Sequence, residues 1–263
     1  MDLGLKNRVA VVTASSAGLG RAVAEALAME GARLAICSRD EGRINETAAA
    51  IRERYGVEVL SAVCDVKDPK DVRGFAESVL SEYGQADILF ANAGGPPPGT
   101  ATRVSPADYE EALRLNLMST VNLVYAFLPS MRKRRWGRII ASTSISVKQP
   151  LPNLALSNVS RVGVVALIKS LSREIAGENI TANVVAPGYI MTDRVKSVVG
   201  DSADKDGVSF ERALGAITAE IPAGRTGRPE EFGALVAFLA SEPAAYINGV
   251  TVLIDGGLYR GLM

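Results

Sequence analysis

The stretch VVTASSAGLGRA, residues 11–22, decides the fold that we expect for this chain. Its first residues end a β-branched apolar run, 8–13, which is typical of a buried strand, and the apolar spacing from Gly18 to Glu30 is typical of a helix. A glycine-bearing turn between a strand and a helix lets backbone N–H groups approach a phosphate at the helix N-terminus. Gly18 and Gly20 suit that close approach, so the stretch predicts a phosphate-binding turn after the first strand.

The alternation of strand and helix continues along the chain. Further strands are predicted at 33–37, 57–63, 86–93, 137–143, 180–187 and 249–255. Further helices are predicted at 41–55, 69–83, 106–134, 154–176 and 229–240, and Pro129 predicts a bend or break in the third of these. Apolar strands that alternate with helices are typical of a parallel sheet covered on both faces. We therefore expect residues 1–263 to form a single doubly wound, Rossmann-like α/β domain. Its ligand is expected outside the carboxyl ends of the strands, where the first and fourth meet.

Residues 194–224 interrupt this alternation. The segment is polar and contains glycines. An insertion of this size between sheet elements is usually a lid or a substrate-binding loop, and the alternative is a merely solvated excursion.

Composition narrows the classes of function. The 29 basic side chains equal the 29 acidic ones, so no overall charge favours nucleic acid or an anionic membrane as a partner. The absence of His excludes His acid–base chemistry, and two Cys are too few for a four-thiolate zinc site, so we expect no metal. The N-terminus enters a strand without a long apolar stretch, and no apolar run is long enough to span a bilayer. We therefore expect a cytoplasmic protein.

The two cysteines, Cys37 and Cys64, each lie near the end of a predicted strand. Buried free thiols in a reducing compartment are the ordinary interpretation. A disulfide remains an alternative if the two strands are neighbours.

A series of short motifs follows in order along the chain. Thr13, Gly18 and Gly20 fit the pattern T-G-x-x-x-G-x-G. Ala14 stands where the pattern has its first glycine, and we expect an alanine to fit there only if its φ is negative. The later motifs are CDV at 64–66, NAG at 92–94, RLNLMS at 114–119, PG at 187–188 followed by Thr192, and IDGG at 254–257. Through these motifs the chain resembles the short-chain dehydrogenase/reductase family nearly end to end, and within it the 3-oxoacyl-[acyl-carrier-protein] reductases.

The resemblance implies a seven-stranded sheet, a homodimer or homotetramer, and a nicotinamide dinucleotide cofactor. An acidic residue after the second strand binds a ribose 2′-hydroxyl, whereas Arg favours a 2′-phosphate. Ser38 and Arg39 therefore favour NADP over NAD, although Asp40 could weaken this preference and Arg39 could be a solvated charge only. The residues assigned to the cofactor are Thr13, Ser15, Ser16, Gly18, Leu19, Gly20, Ser38, Arg39, Cys64, Asp65, Val66, Asn92, Ala93, Gly94, Arg161, Pro187, Gly188 and Thr192.

The catalytic positions depart from the family pattern. The family carries a Tyr on one helix, a Lys four residues after it, and a Ser 13 residues before it. In this sequence Ser157 stands at the Tyr position, Arg161 at the Lys position and Ser144 at the Ser position. A serine hydroxyl is far too weak an acid to replace the phenol. Arg161 stays protonated, so it cannot relay a proton, although it could bind ribose hydroxyls.

Two other groups are candidates for the proton donor. Tyr189 follows the PG motif, and the alternative to a proton donor there is an aromatic side chain that only packs against the cavity wall. Lys148 lies in the loop after Ser144, and its alternative role is a solvated loop charge. Asn116, Ser144 and Ser157 also suit purely structural roles. The candidate catalytic residues are Asn116, Ser144, Lys148, Ser157, Arg161 and Tyr189.

The function that this pattern favours is an NAD(P)-dependent oxidoreductase that reduces a ketone, such as a 3-oxoacyl thioester, with an atypical proton donor. Two alternatives stay open because function depends on the site rather than on the fold. One is a catalytically impaired dinucleotide-binding subunit or sensor. The other is non-redox chemistry, such as isomerisation or elimination, on the same scaffold.

Overall fold

One parallel sheet forms the centre of the molecule. The computed structural model describes residues 1–262, for Ser202 the backbone alone. The strands in this part of the chain are β1 Val9–Thr13, β2 Arg33–Ser38, β3 Val59–Val63, β4 Ile88–Ala91, β5 Gly137–Ser142, β6 Ile180–Pro187 and β7 Thr251–Ile254. They are all parallel, in the order β3-β2-β1-β4-β5-β6-β7. This order confirms the predicted fold class, and its direction of winding reverses between β1 and β4, as expected.

Helices cover both faces of the sheet. They are α1 Gly18–Met29, α2 Glu41–Tyr55, α3 Pro69–Tyr83, α4 Pro106–Leu113, α5 Ser119–Arg134, α6 Ala155–Ile175, α7 Asp193–Asp206, α8 Phe210–Glu220 and α9 Pro229–Ala240. Within residues 1–262, none of the helices combines the length and the apolar character that crossing a bilayer requires.

Two helical stretches differ from the sequence predictions. The chain continues as helix α5 through Pro129, and the irregularity lies earlier, in the π-helical segment Arg114–Met118 between α4 and α5. Residues 194–224, for which the sequence pattern predicts no helix, contain most of α7 and all of α8. Both of these helices have capped N-termini, because Thr192 Oγ1 accepts from the N–H of Val195 at 3.4 Å and Ser209 Oγ accepts from the N–H of Arg212 at 3.3 Å.

The core lies in two layers, one on each side of the sheet. Alternate residues of β1 point to opposite faces, so Val9 and Val11 pack in the layer that contains Phe127, and Val12 packs in the layer that contains Phe232. All five side chains are fully buried. Burial of a side chain of this size contributes about 1.5–3 kcal/mol, so both layers hold the strands in register and fix their carboxyl ends.

Candidate active site

The glycine-bearing turn lies at the carboxyl end of β1, between Thr13 and Gly18. A Cβ atom at Gly20 would overlap the carbonyl oxygen of Ala14, so the packing of α1 on the turn requires a glycine there. Ala17 precedes α1 and carries no side-chain oxygen that could cap the first-turn N–H groups. These N–H groups can therefore donate to a phosphate.

Ala14 has a φ of 49°, in the left-handed region. The expectation that an alanine fits this turn only with a negative φ is therefore wrong. The surrounding contacts impose the conformation, since the N–H of Ser15 donates to the carbonyl of Cys37 at 3.1 Å and Asn92 Nδ2 donates to the carbonyl of Ala14 at 3.5 Å. A left-handed conformation costs an L-residue about 1–2 kcal/mol, so the turn carries backbone strain.

Substitution Ala14→Gly is expected to relieve this strain. Because glycine loses more backbone entropy on folding, the net gain in the free energy of unfolding is about 0.5–1 kcal/mol. Urea denaturation measures it. The matched control is Gly56→Ala, at a φ of 66° with no atom within 4 Å of the added Cβ, which is expected to lose a similar amount. A loss in the control without a gain in Ala14→Gly would show that the turn is unstrained.

Two predicted cofactor residues lie beneath the turn. Thr13 Oγ1 donates to the carbonyl of Asn92 at 2.7 Å and accepts from its N–H at 2.9 Å, which joins the ends of β1 and β4. Ser15 Oγ donates to the carbonyl of Val12 at 2.9 Å. Thr13 and Ser15 are fully buried, so their side chains position the turn.

The π-helical segment places Asn116 between two parts of the site. Its Nδ2 donates to the carbonyl of Gly94 at 3.1 Å, and its Oδ1 accepts from Ser160 Oγ at 2.8 Å. Asn116 is buried and therefore ties the loop after β4 to α6. A π-helical turn re-aims side chains within a helix and often occurs at functional sites.

A first cavity of about 410 Å³ opens at the carboxyl ends of the strands. It brings together twelve of the predicted site residues, which are Gly18, Leu19, Gly20, Asn92, Ala93, Gly94, Ser144, Ser157, Arg161, Gly188, Tyr189 and Thr192. Sequence reasoning missed other lining residues, among them Arg43, Gly95, Pro96, Ile145, Leu151, Leu154, Ile190, Asp193, Arg194, Val195 and Val198. The position of Arg194 two residues after Thr192 is a signal that could have found it.

A second cavity, of about 710 Å³, adjoins the first and shares six lining residues with it, which are Ala14, Ala17, Arg43, Gly94, Gly95 and Pro96. Its lining includes six further predicted residues, which are Ser16, Ser38, Arg39, Cys64, Asp65 and Val66. Arg43 and Lys67 also line it, so its lining contains three cations beside four carboxylates, which are Asp40, Asp65, Asp108 and Glu111. Lys67 pairs with Glu111 at 3.7 Å, which leaves the two arginines for a ligand. Arg43 lies in the first turn of α2, four residues after Arg39, and this closeness to Ser38 and Arg39 in the sequence is a signal that could have found it.

Like Thr13, Ser15 and Asn116, the predicted residues Pro187 and Lys148 line neither cavity. Pro187 is buried at the end of β6. Lys148 is exposed in the loop after β5 and does not line either cavity.

Ser157 and Arg161 lie one turn apart on α6, and both are buried. Arg161 Nε donates to Ser157 Oγ at 3.2 Å, and Nη1 donates to the carbonyls of Ser142 at 3.3 Å and Thr143 at 3.2 Å. Burial lowers the pKa of Arg161 to about 10, which leaves the guanidinium charged at neutral pH. The helix therefore presents a buried cation to the first cavity.

Ser144 and Tyr189 approach the same cavity from two neighbouring strands. Ser144 follows β5, and its Oγ accepts from the N–H of Ser146 at 3.2 Å. Tyr189 follows β6 and is half-buried. Burial, followed by the negative charge of Glu220, raises the pKa of the Tyr189 phenol, which is therefore protonated at neutral pH.

Cys37 lies in β2, and Cys64 directly follows the neighbouring strand β3. Both are buried free thiols, the first of the two interpretations of the sequence. A hydrogen bond with the Cys64 thiol, followed by burial, raises the pKa of Cys37 well above its usual range. The thiol of Cys37 is therefore a packing group rather than a reactive nucleophile.

A cleft at the switch point of a doubly wound sheet, with a glycine-bearing turn at its edge, defines a dinucleotide-binding α/β protein. Residues 13–259 match the family model described as enoyl-(acyl carrier protein) reductase. The 3-oxoacyl-[acyl-carrier-protein] reductase FabG of Escherichia coli strain K12 is 35% identical over 257 residues, which cover 98% of this chain and 99% of that protein. The chain belongs to the short-chain dehydrogenase/reductase family and is an oxidoreductase.

Solved structures agree with this assignment. The L-sorbose reductase of Gluconobacter frateurii, complexed with NADPH and L-sorbose, has a TM-score of 0.96 and 35% identity, with 100% of both chains covered. An NADPH-bound short-chain oxidoreductase from Pseudomonas aeruginosa PAO1, described as containing an atypical catalytic center, has a TM-score of 0.89 and 32% identity, with 97% of this chain and 99% of that chain covered.

Proposed function

We propose that this protein is an NADPH-dependent reductase of ketones in which Tyr189 donates the proton. The observation that carries the proposal is the first cavity, whose lining contains Ser144, Ser157, Arg161 and Tyr189 beside the glycine-bearing turn. 3-Oxoacyl thioesters are candidate substrates because of the similarity to FabG. NADPH, when bound, supplies the hydride.

The residues of the turn fit such a cofactor. Gly20 permits the close packing of α1, Ala17 leaves the first N–H groups for the pyrophosphate, and no atom lies within 4 Å of a Cβ built on Gly94. Asp65, which lines the second cavity, suits the adenine end. Solved relatives with NADPH bound support the same choice.

The cations of the second cavity favour NADP over NAD. Arg39 and Arg43 are exposed beside Ser38 and can hold a 2′-phosphate. Asp40 is engaged as the cap of α2, because its Oδ1 accepts from the N–H of Arg43 at 3.0 Å. This hydrogen bond fixes the carboxylate at the start of α2, beside the two arginines.

Titration of the purified protein with NADPH and NADH tests this function. Substitution Arg39→Ser is expected to weaken NADPH binding about 10- to 100-fold, because it removes a charge-assisted hydrogen bond, while NADH binding changes little. Arg54→Ser removes an exposed charge near the other end of α2 and serves as the control. Failure of the unmodified protein to bind either dinucleotide would refute the proposed function. Equal binding of the two would refute the selector role of Arg39.

Among the candidates for the proton donor, Tyr189 has the strongest support. It lines the cavity and carries a protonated phenol, whereas Lys148 is exposed and outside the lining. Ser157 Oγ accepts from Arg161 and can hold the substrate oxygen or a water, but a serine hydroxyl is too weak an acid to supply the proton itself. Ser144, with its hydroxyl oriented by the N–H of Ser146, is the second group for the substrate oxygen.

The segment 194–224 is proposed to be the lid of this single-domain enzyme. Val195 and Val198 of α7 line the cavity, and Arg194 Nη2 donates to the carbonyl of Pro96 on the opposite side of the cleft at 3.3 Å. A helix held across a cleft in this way can exclude water from the reaction.

A homodimer or homotetramer is proposed as the working form. Apolar side chains are exposed around α5 and α6, namely Met118, Tyr125, Val159 and Val162. Exposed apolar patches of this kind mark interaction sites. The buried free thiols fit the reducing cytoplasm as the compartment.

A further inference from the structure

The proposed reductase leaves one buried charge without a counterion. Arg161 is 8% exposed, and among the described residues no carboxylate forms an ion pair with it. Its partners are a hydroxyl and two backbone carbonyls, which are neutral. A buried charge that neutral groups alone compensate is costly unless a ligand supplies the opposite charge.

One nitrogen of the guanidinium is available to a ligand. Nε and Nη1 donate to Ser157, Ser142 and Thr143, but within the described part of the chain Nη2 has no protein acceptor. Arg161 lines the first cavity, so a group in that cavity can accept from Nη2.

A dinucleotide does not supply this charge. Its pyrophosphate belongs at the turn before Gly18, and a 2′-phosphate belongs at Arg39. The nicotinamide ring and the ribose attached to it carry no anionic group, so they can accept hydrogen bonds from Arg161 without neutralising its charge. Asp193 also lines this cavity, but among the described residues its ion pair is with Lys196 at 3.4 Å rather than with Arg161. A carboxylate on the second molecule in the cavity, the substrate, can supply the counterion.

We infer that the substrate is a short-chain oxo acid, whose carboxylate binds Arg161 while its ketone is reduced. The inference rests on the proposed function and narrows it, because a 3-oxoacyl thioester carries no charge beside its ketone. Among the other lining residues, Ile145, Leu151, Leu154, Val195 and Val198 form an apolar part of the wall that suits a short alkyl chain, whereas Arg43, Asp193 and Arg194 are charged. A carboxylate on a guanidinium is the charge-assisted pairing that proteins use most for such acids.

Binding without turnover is the first test. Butyrate and its neutral isostere butyramide are titrated into the NADPH-loaded protein, with the fluorescence of bound NADPH as the signal. Butyrate is expected to bind about 10- to 100-fold more tightly than butyramide. Arg161→Gln is expected to reduce this ratio to about 1, and Arg161→Lys, which keeps the charge, to retain part of it. Arg173→Gln, at an exposed position near the end of α6, is the control and is expected to leave the ratio unchanged, and Arg194→Gln tests a second arginine of the same cavity wall.

Equal binding of butyrate and butyramide would overturn the inference, and so would a failure of both to bind. A preference that Arg194→Gln abolishes and Arg161→Gln retains would also overturn it. NADPH affinity and thermal unfolding of each variant show whether the fold and the cofactor site survive.

Turnover separates this inference from the proposed function. Short-chain 2-oxo and 3-oxo acids are compared with their primary amides and with a 3-oxoacyl thioester, and NADPH consumption is followed. A higher kcat/KM for the acids, lost in Arg161→Gln, supports both proposals. Reduction of amides or thioesters without preference for the acids overturns the inference alone. Binding of NADPH and butyrate without reduction of any ketone refutes the proposed function and leaves an anion site.

Discussion

The double variant Ser157→Tyr with Arg161→Lys is expected to reduce neutral ketones about 10- to 100-fold faster than the unmodified protein. Both positions face the first cavity from α6, so the pair restores a phenol and an adjacent ammonium at the places where the family carries them. The ammonium lowers the pKa of the phenol. A well-placed general acid contributes a rate factor of about 100 to 10,000, of which Tyr189 already supplies about 100 in the unmodified protein. Steady-state kcat/KM with NADPH and a neutral ketone measures the gain.

A matched variant, Ser157→Phe with Arg161→Lys, separates the acid from the ring that carries it. This variant adds the same ring without the hydroxyl, and we expect no gain in rate from it. Equal rates in the two double variants would show that the added ring acts by packing. A loss of NADPH binding in both would show that the cofactor requires Arg161 itself.

Substitution Tyr189→Phe is expected to lower kcat about 100-fold, with little change in KM. The ring stays in its apolar surroundings, which include Ile145 and Ile221, while the proton donor is removed. The control is Tyr246→Phe, at a fully exposed position, which is expected to have no effect. If Tyr189→Phe retains full activity, the proton reaches the substrate through Ser157 or water.

The pH dependence of kcat gives a second readout of Tyr189. The reaction needs the protonated phenol, so activity is present below its pKa and is lost as the pH rises through it. Because burial raises this pKa above the ordinary value of 10.0, the rate is expected to show no decline from this group at neutral pH and to fall only in strongly alkaline solution. The alkaline decline should be absent from the residual activity of Tyr189→Phe.

The sheet could be predicted because its signals are local. β-branched runs such as 8–13 and 180–187 alternate with amphipathic helices, and this pattern leaves few topologies for a parallel sheet. Helices α7 and α8 were harder to predict, since their capping residues Thr192 and Ser209 begin polar segments in which apolar spacing is weak. The π-helical segment could not be predicted either, because its sequence pattern is that of an ordinary α-helix.

The site could be predicted only in part. The motifs identify the turn and the loops that end at the cleft, but the φ of Ala14 depends on contacts with Cys37 and Asn92, which are far away in the sequence. Arg194 enters the cavity because α7 crosses the cleft, a contact that no spacing predicts. The unpaired charge of Arg161 is likewise a property of its three-dimensional surroundings.

The hydrogen bonds beneath the cleft determine how much of the chain must be synthesised before the protein can bind its cofactor. Thr13 and Asn92 lie 79 residues apart, and Asn116 and Ser160 lie 44 apart. Strands β6 and β7, which complete the sheet, leave the ribosome last. Contacts of such long range form late, because the chain must first close large loops. An N-terminal fragment that contains the glycine turn therefore lacks the loops that complete the site, and we expect binding of the cofactor to require the nearly complete chain.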